Sequence, residues 1–118
     1  MPTSPEEKEF ASYIVDLMQS IGPVNAKAMF GGFGIFLKGI MFGLIADKVL
    51  YLKVDDKTEN EFKDLGLEPF TYNKKGKEFK MSYFQAPEGA MEDAEEMSLW
   101  ATQAYNSALR AASRNKHK

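Results

Sequence analysis

Few side chains in this sequence could carry out covalent chemistry. There is no cysteine, and the one histidine, His117, is next to last in a polar tail. Thiol nucleophiles, disulfides, iron–sulfur clusters, Cys-ligated zinc, His-based triads and haem ligation are therefore not expected. Ser82 and Tyr83 have hydroxyls but no base beside them in the sequence. Lys53 or Lys77 could act only if burial shifted its pKa. Asp55, Asp56 and Glu59 could be read as a hard-cation site, yet they lack calcium-loop spacing and helix capping accounts for all three. Nothing marks a pair of acids for glycoside hydrolysis. The expectation is a chain with no catalytic residue, no metal and no cofactor.

Binding chemistry is better represented. Lys74, Lys75, Lys77 and Lys80 form a basic cluster, with Tyr72, Phe79, Tyr83 and Phe84 close by. Lysines interleaved with aromatics can hold a nucleic acid by charge and stacking. Arg110 and Arg114 add positive charge near the C-terminus. Two facts oppose a strong nucleic-acid reading. The formal net charge is −2, whereas such domains are usually basic. Lysine is also the common choice at a solvated hairpin tip. Weak contact through Lys74–Lys80 and the basic C-terminus stands as the alternative to a protein partner. A third possibility is a small-molecule sensor or enzyme with a Met- and Phe-lined pocket between sheet and helices, since the seven methionines would make an adaptable lining.

Glycines punctuate the run from Met29 to Leu44, which invites comparison with a phosphate cradle. A P-loop ends in Gly-Lys-Ser/Thr and opens a helix, whose N-terminal amides hold the phosphate. Here Gly34 leads into apolar residues that read as a further strand, so hairpin glycines are expected instead.

The elements that must position these residues follow from periodicity and punctuation. The 118 residues fit one domain, placed at 1–112, with a polar basic tail at 113–118 expected to fray. Ser4 as N-cap, Pro5 and Glu7 open a helix over about Pro5–Ser20, ended by Gly22-Pro23. Strands follow at Ala28–Gly32, Gly34–Lys38, Ile40–Ala46 and Val49–Val54, with tight turns at Lys38-Gly39 and Asp47-Lys48. A short helix opens with a capping box, either Asp56 with Glu59 or Thr58 with Glu61, and is anchored by Phe62 and Leu65. Strands Phe70–Tyr72 and Glu78–Phe84 come next, and a last helix begins near Asp93, whose carboxylate can cap it, with an apolar stripe through Met97, Trp100, Ala101, Ala104, Tyr105 and Ala108. Strands in blocks joined by tight turns indicate an α+β domain: a two-layer arrangement with three helices on an antiparallel sheet of about six strands. An exposed edge of that sheet could pair with a second copy to give a homodimer. No apolar run approaches the ~20 residues of a bilayer span, and the N-terminus lacks the basic and apolar regions of a signal peptide. A soluble, cytoplasmic protein is expected, with no membrane contact.

Several linked strings carry a resemblance. They are Met29-Phe30-Gly31-Gly32-Phe33-Gly34, Met41-Phe42-Gly43, Tyr51 and Lys53 in Leu50–Asp55, Lys75-Gly76-Lys77, Met81-Ser82-Tyr83-Phe84 and Trp100. In this order they resemble the N-terminal domain of the TfoX/Sxy family of bacterial competence regulators. The resemblance implies a secretion-chaperone-like α+β fold and a non-enzymatic role in transcription regulation. In that role, full-length members help the cyclic-AMP receptor protein at competence promoters. It further implies a protein partner in the transcription machinery. Full-length regulators carry a second, C-terminal domain, so this chain is expected to be a stand-alone N-terminal domain. Lys27-Ala28 stands where the family often has Arg before Met-Phe-Gly-Gly.

Overall fold

The computed structural model describes residues 5–29 and 31–116. Helix α1 runs Pro5–Leu17, with Glu6 and Glu7 in its first turn, where negative charge meets the positive end of the helix dipole. The expected cap, Ser4, lies outside the described residues. The helix stops before Ser20 because the chain tightens into a 3₁₀ turn over Gln19–Ile21 and leaves through Gly22 at φ 143°. Ala11, Ile14 and Met18 recur at helical spacing and are buried.

Four strands form a meander: β1 (Asn25–Met29), β2 (Gly32–Leu37), β3 (Ile40–Ala46) and β4 (Val49–Lys53). The first strand ends three residues earlier than expected. Gly31, at φ 79°, belongs to the turn that lets Met29 pair with Gly32. The other two turns fall on the expected residues. Lys38-Gly39 and Asp47-Lys48 all have positive φ, which is what a type I′ hairpin turn demands. Phe42 is the extra residue of a bulge, since Ile35 pairs with Gly43 but Phe36 with Met41.

Helix α2 (Glu59–Asp64) follows, then β5 (Pro69–Lys74), β6 (Lys77–Gln85) and, after a 3₁₀ turn, α3 (Ala94–Lys116). Asp93 caps α3 as expected: its carboxylate accepts the Glu95 N–H at 3.1 Å. α3 runs on through Ser113 to Lys116, into the segment read as a tail. At α2 neither capping box forms: Asp56 lies two residues ahead of the N-cap Thr58, and the Thr58 side chain makes no cap hydrogen bond and turns to Asp55 and Ser107 instead. Phe62 anchors the helix alone; Leu65 is 57% exposed, past the end of the face that α2 buries.

All six strands make one antiparallel sheet in the order β1-β2-β3-β4-β6-β5. Its helix-covered face carries Ile35, Leu37, Phe42, Ile45, Leu50, Leu52 and Phe84, which pack with Ile14, Met18, Phe62, Met97 and Ala101. Edge-to-face contacts of Phe42 with Tyr105 at 5.7 Å and Phe62 with Trp100 at 5.1 Å tie α3 to the sheet and to α2. Strand alternation turns Met29, Phe36, Met41 and Tyr51 to the opposite face, where they are half-buried and outside that core.

Candidate functional site

The glycines of the signature strings serve the scaffold. A side chain on Gly32 would place its Cβ 2.1 Å from the Ile45 carbonyl oxygen, a distance no residue with a Cβ tolerates. On the open face Gly34 lies under Met29 and Phe36, so a Cβ there would stand 2.6 Å from the Met29 sulfur and 2.9 Å from the Phe36 ring. No phosphate cradle forms, because the glycine-rich run is two paired strands and a turn. Phe30 lies outside the described residues.

The sequence offered Ser82 no base, yet the sheet supplies a lysine. β4 and β6 are neighbours, with Lys53 paired to Tyr83, so the Lys53 amine reaches Ser82 Oγ and donates to it at 2.6 Å. Lysine and serine within hydrogen-bond reach are the beginning of a serine–lysine nucleophile. Burial lowers the Lys53 pKa, with Asp55 opposing. The same amine, however, sits 5.2 Å from the centroid of the Tyr83 ring, a placement that favours the ammonium form. An ammonium cannot take a proton from Ser82, so the geometry supports a structural strut more than a base. Tyr83, only 6% exposed, has its hydroxyl pushed up to about 12 by burial. Tyr51, packed edge-on to Phe70 at 5.0 Å, is raised by burial, then by Asp47 and Glu68.

The sequence groups Arg110 with the basic C-terminus, but the structure commits it elsewhere. Its Nε donates to Asp55 Oδ2 at 2.5 Å and its Nη2 donates to Ser107 Oγ at 3.3 Å. Ser107 and Thr58 hydroxyls stand 3.3 Å apart, and Thr58 donates to Asp55 Oδ1 at 3.3 Å. With Arg110 donating to Ser107 and Thr58 to Asp55, Ser107 must donate to Thr58, and the four groups close a ring. The ring holds the end of β4 and the start of α2 to α3. Asp55 falls to about 2, chiefly through the Arg110 hydrogen bond, with burial opposing and the Lys57 N–H assisting. Arg114 is exposed one turn further along α3.

Asp55, Asp56 and Glu59 do not gather into a metal site. Asp55 serves Arg110, Glu59 faces Lys63 at 3.2 Å, and no cluster of three metal-ligating groups occurs among the described residues. These acids line one side of an open groove of about 550 Å³, with Lys80 and Ser82 on the other. This groove is charged and lies beside α2. Between sheet and helices, Met18, Met97 and Phe42 are fully buried in the core.

The basic cluster stands on a projecting arm. Beyond Thr71, β5 and β6 extend as a two-stranded ribbon, and every residue from Tyr72 to Ser82 is exposed. The turn is tighter than the five-residue loop the sequence suggests, for Lys74 pairs with Lys77 and only Lys75 and Gly76, both at positive φ, lie between. Tyr72 pairs with Phe79, so one face of the ribbon presents Lys74, Lys77, Tyr72, Phe79 and Met81. The Tyr72 and Phe79 rings stack at 5.5 Å and Phe70 continues the row at 6.5 Å from Tyr72. Tyr72, Phe79 and Met81 are 42%, 41% and 38% exposed. Lys80 faces the other way, paired with Thr71. Sequence alternation placed Phe79 and Met81 with Tyr83 on one face. It gave no sign that the sheet outruns its helices at this point.

A six-stranded antiparallel sheet with helices on one face and a basic, aromatic arm defines a small α+β domain. The model of the TfoX N-terminal domain matches residues 16–108, and the chain belongs to that family. It is similar to DNA transformation protein TfoX1 of Aliivibrio fischeri, 32% identical over 82 residues that cover 70% of this chain and 37% of that protein. It is also similar to DNA transformation protein TfoX of Haemophilus influenzae, 38% identical over 71 residues covering 59% and 33% respectively. The chain thus spans about a third of the length of these curated relatives. Among the described residues no helix is long and apolar enough to cross a membrane.

Proposed function

We propose that this chain is a non-enzymatic regulatory module of the competence system, working in the cytoplasm through contact with a protein of the transcription machinery. Family membership over residues 16–108, with relatives named as DNA transformation proteins, carries this reading. The open sheet face supports it. Met29, Phe36 and Met41 there are flexible or flat apolar groups, held half-buried without a helix over them. Such side chains repack easily against a partner.

The test is transcription of competence genes in the chain's own host, with the chain deleted, restored, or restored as Phe36→Asp. Deletion should change those transcripts several-fold, the wild-type chain should restore them, and Phe36→Asp should not, although the variant accumulates and melts cooperatively. Transcripts unmoved by deletion would overturn the proposal.

A further inference from the structure

The arm calls for an account of its own, because its surface differs from that of the rest of the molecule. Thr71–Ser82 holds four lysines and one glutamate, net +3, in a chain of net −2, which leaves −5 on the remainder. Lys74, Lys75 and Lys77 form no ion pair among the described residues: the ion pairs there are Lys63–Glu59 and Arg110–Asp55, and neither involves the arm. Lys74 and Lys77 stand directly opposite each other, with Lys75 in the turn between them. Like charges in register across two strands destabilise a hairpin, and an anion laid over them relieves the repulsion.

Protection of a sheet edge would explain lysines alone. It leaves Tyr72, Phe79 and Met81 unexplained, since exposed apolar side chains make an edge more adhesive. Lysine and aromatic groups on one ribbon face meet two needs of one ligand: the first take phosphates and the second take the flat faces of bases. A duplex hides those faces in its stack and would use only the lysines. We infer that the β5–β6 arm binds single-stranded nucleic acid, with Lys74, Lys75 and Lys77 on the backbone and the Tyr72–Phe79 stack against unpaired bases. This inference goes beyond the regulatory reading and uses the projecting end of the sheet's open side, where Phe70 and Tyr72 continue the row from Tyr51, with residues other than the Met29, Phe36 and Met41 patch.

The test is fluorescence anisotropy of the full chain with a short labelled poly-thymidine strand. Three phosphate contacts give a salt slope of about −2, so affinity should fall roughly 20-fold between about 50 and about 200 mM salt. Lys74→Ala/Lys75→Ala/Lys77→Ala should weaken binding and flatten that slope. Tyr72→Ala should weaken it about ten-fold with the slope kept, as loss of one stacked base predicts. All these side chains are exposed, and an unchanged melt of each variant confirms that the fold is intact. Glu78→Gln, which removes the arm's one acid, should tighten binding. Four results would each overturn the inference. These are no binding at about 100 µM in low salt, affinity unmoved by the triple substitution, equal or tighter binding of the corresponding duplex, and equal displacement by poly-glutamate, which would mark an acidic protein as the partner. Failure here with competence transcripts still responding to deletion removes the arm's assignment and leaves the regulatory role standing.

Discussion

Replacing Asp55 with Asn tests the polar ring that fastens α3 to the start of α2. The carboxylate accepts from Lys57 N–H and Thr58 on one oxygen and from Arg110 on the other. An amide has one oxygen, so one side of the ring must meet an NH₂ group and lose its hydrogen bond. The magnitude follows from protonation. The folded carboxyl titrates at about 2 against an unfolded value of 3.8, and about 1.36 kcal/mol per pH unit sets a ceiling near 2.4 kcal/mol. Arg110 is 35% exposed in its side chain, so solvent screening reduces the expected value to roughly 1–2 kcal/mol. The sign is fixed because the folded pKa is depressed. The stabilisation is complete above the unfolded value and drains away as pH falls from 3.8 toward about 2. Urea unfolding followed by circular dichroism should therefore show wild type above Asp55→Asn by that amount near neutral pH. The gap should close almost entirely by about pH 2. A gap that is absent at neutral pH, or that stays constant through the acid range, would refute the reasoning.

Other consequences are open to simple measurement. Gly32→Ala should cost about 3 kcal/mol or prevent folding, because its Cβ would meet a backbone oxygen, whereas Gly34→Ala should cost about 1 kcal/mol, because the Met29 side chain can give way; thermal melts rank the two. Lys48, held at φ 61°, is strained, so Lys48→Gly should stabilise by about 0.5–1 kcal/mol and raise the melting temperature by about 3 °C. If Lys53 is a strut, a fluorophosphonate probe should leave Ser82 unlabelled; labelling lost in both Ser82→Ala and Lys53→Met would show that the pair is a nucleophile.

The parts of the fold that were legible in the sequence are those specified locally. Lys38-Gly39 and Asp47-Lys48 read as turns because few dipeptides suit positive φ, and the structure puts both there. Asp93 read as a cap because the cap is defined by its next few residues. What stayed hidden depends on distant neighbours. Lys53 meets Ser82 only because β6 lies beside β4, and Arg110 meets Asp55 only because α3 folds back over α2. Leu65 fits the helical period, but periodicity does not say where a partner's surface ends. The lysine cluster was visible as composition. That it shares one ribbon face with an aromatic stack comes from the register of Tyr72 with Phe79 and Lys74 with Lys77.

Strand order also divides the sheet in time. The first four strands associate by closing loops of two residues, whereas joining β6 to β4 brings Lys53 to Tyr83, about thirty residues on, and loses correspondingly more chain freedom. Until that happens β4 offers a bare row of amides and carbonyls, open to the wrong chain. Phe62 touches both Phe84 and Trp100, so it fastens α2 to β6 and α3 once they meet. Phe62→Ala should therefore betray itself during refolding at high protein concentration, as turbidity that native samples at equal stability do not show.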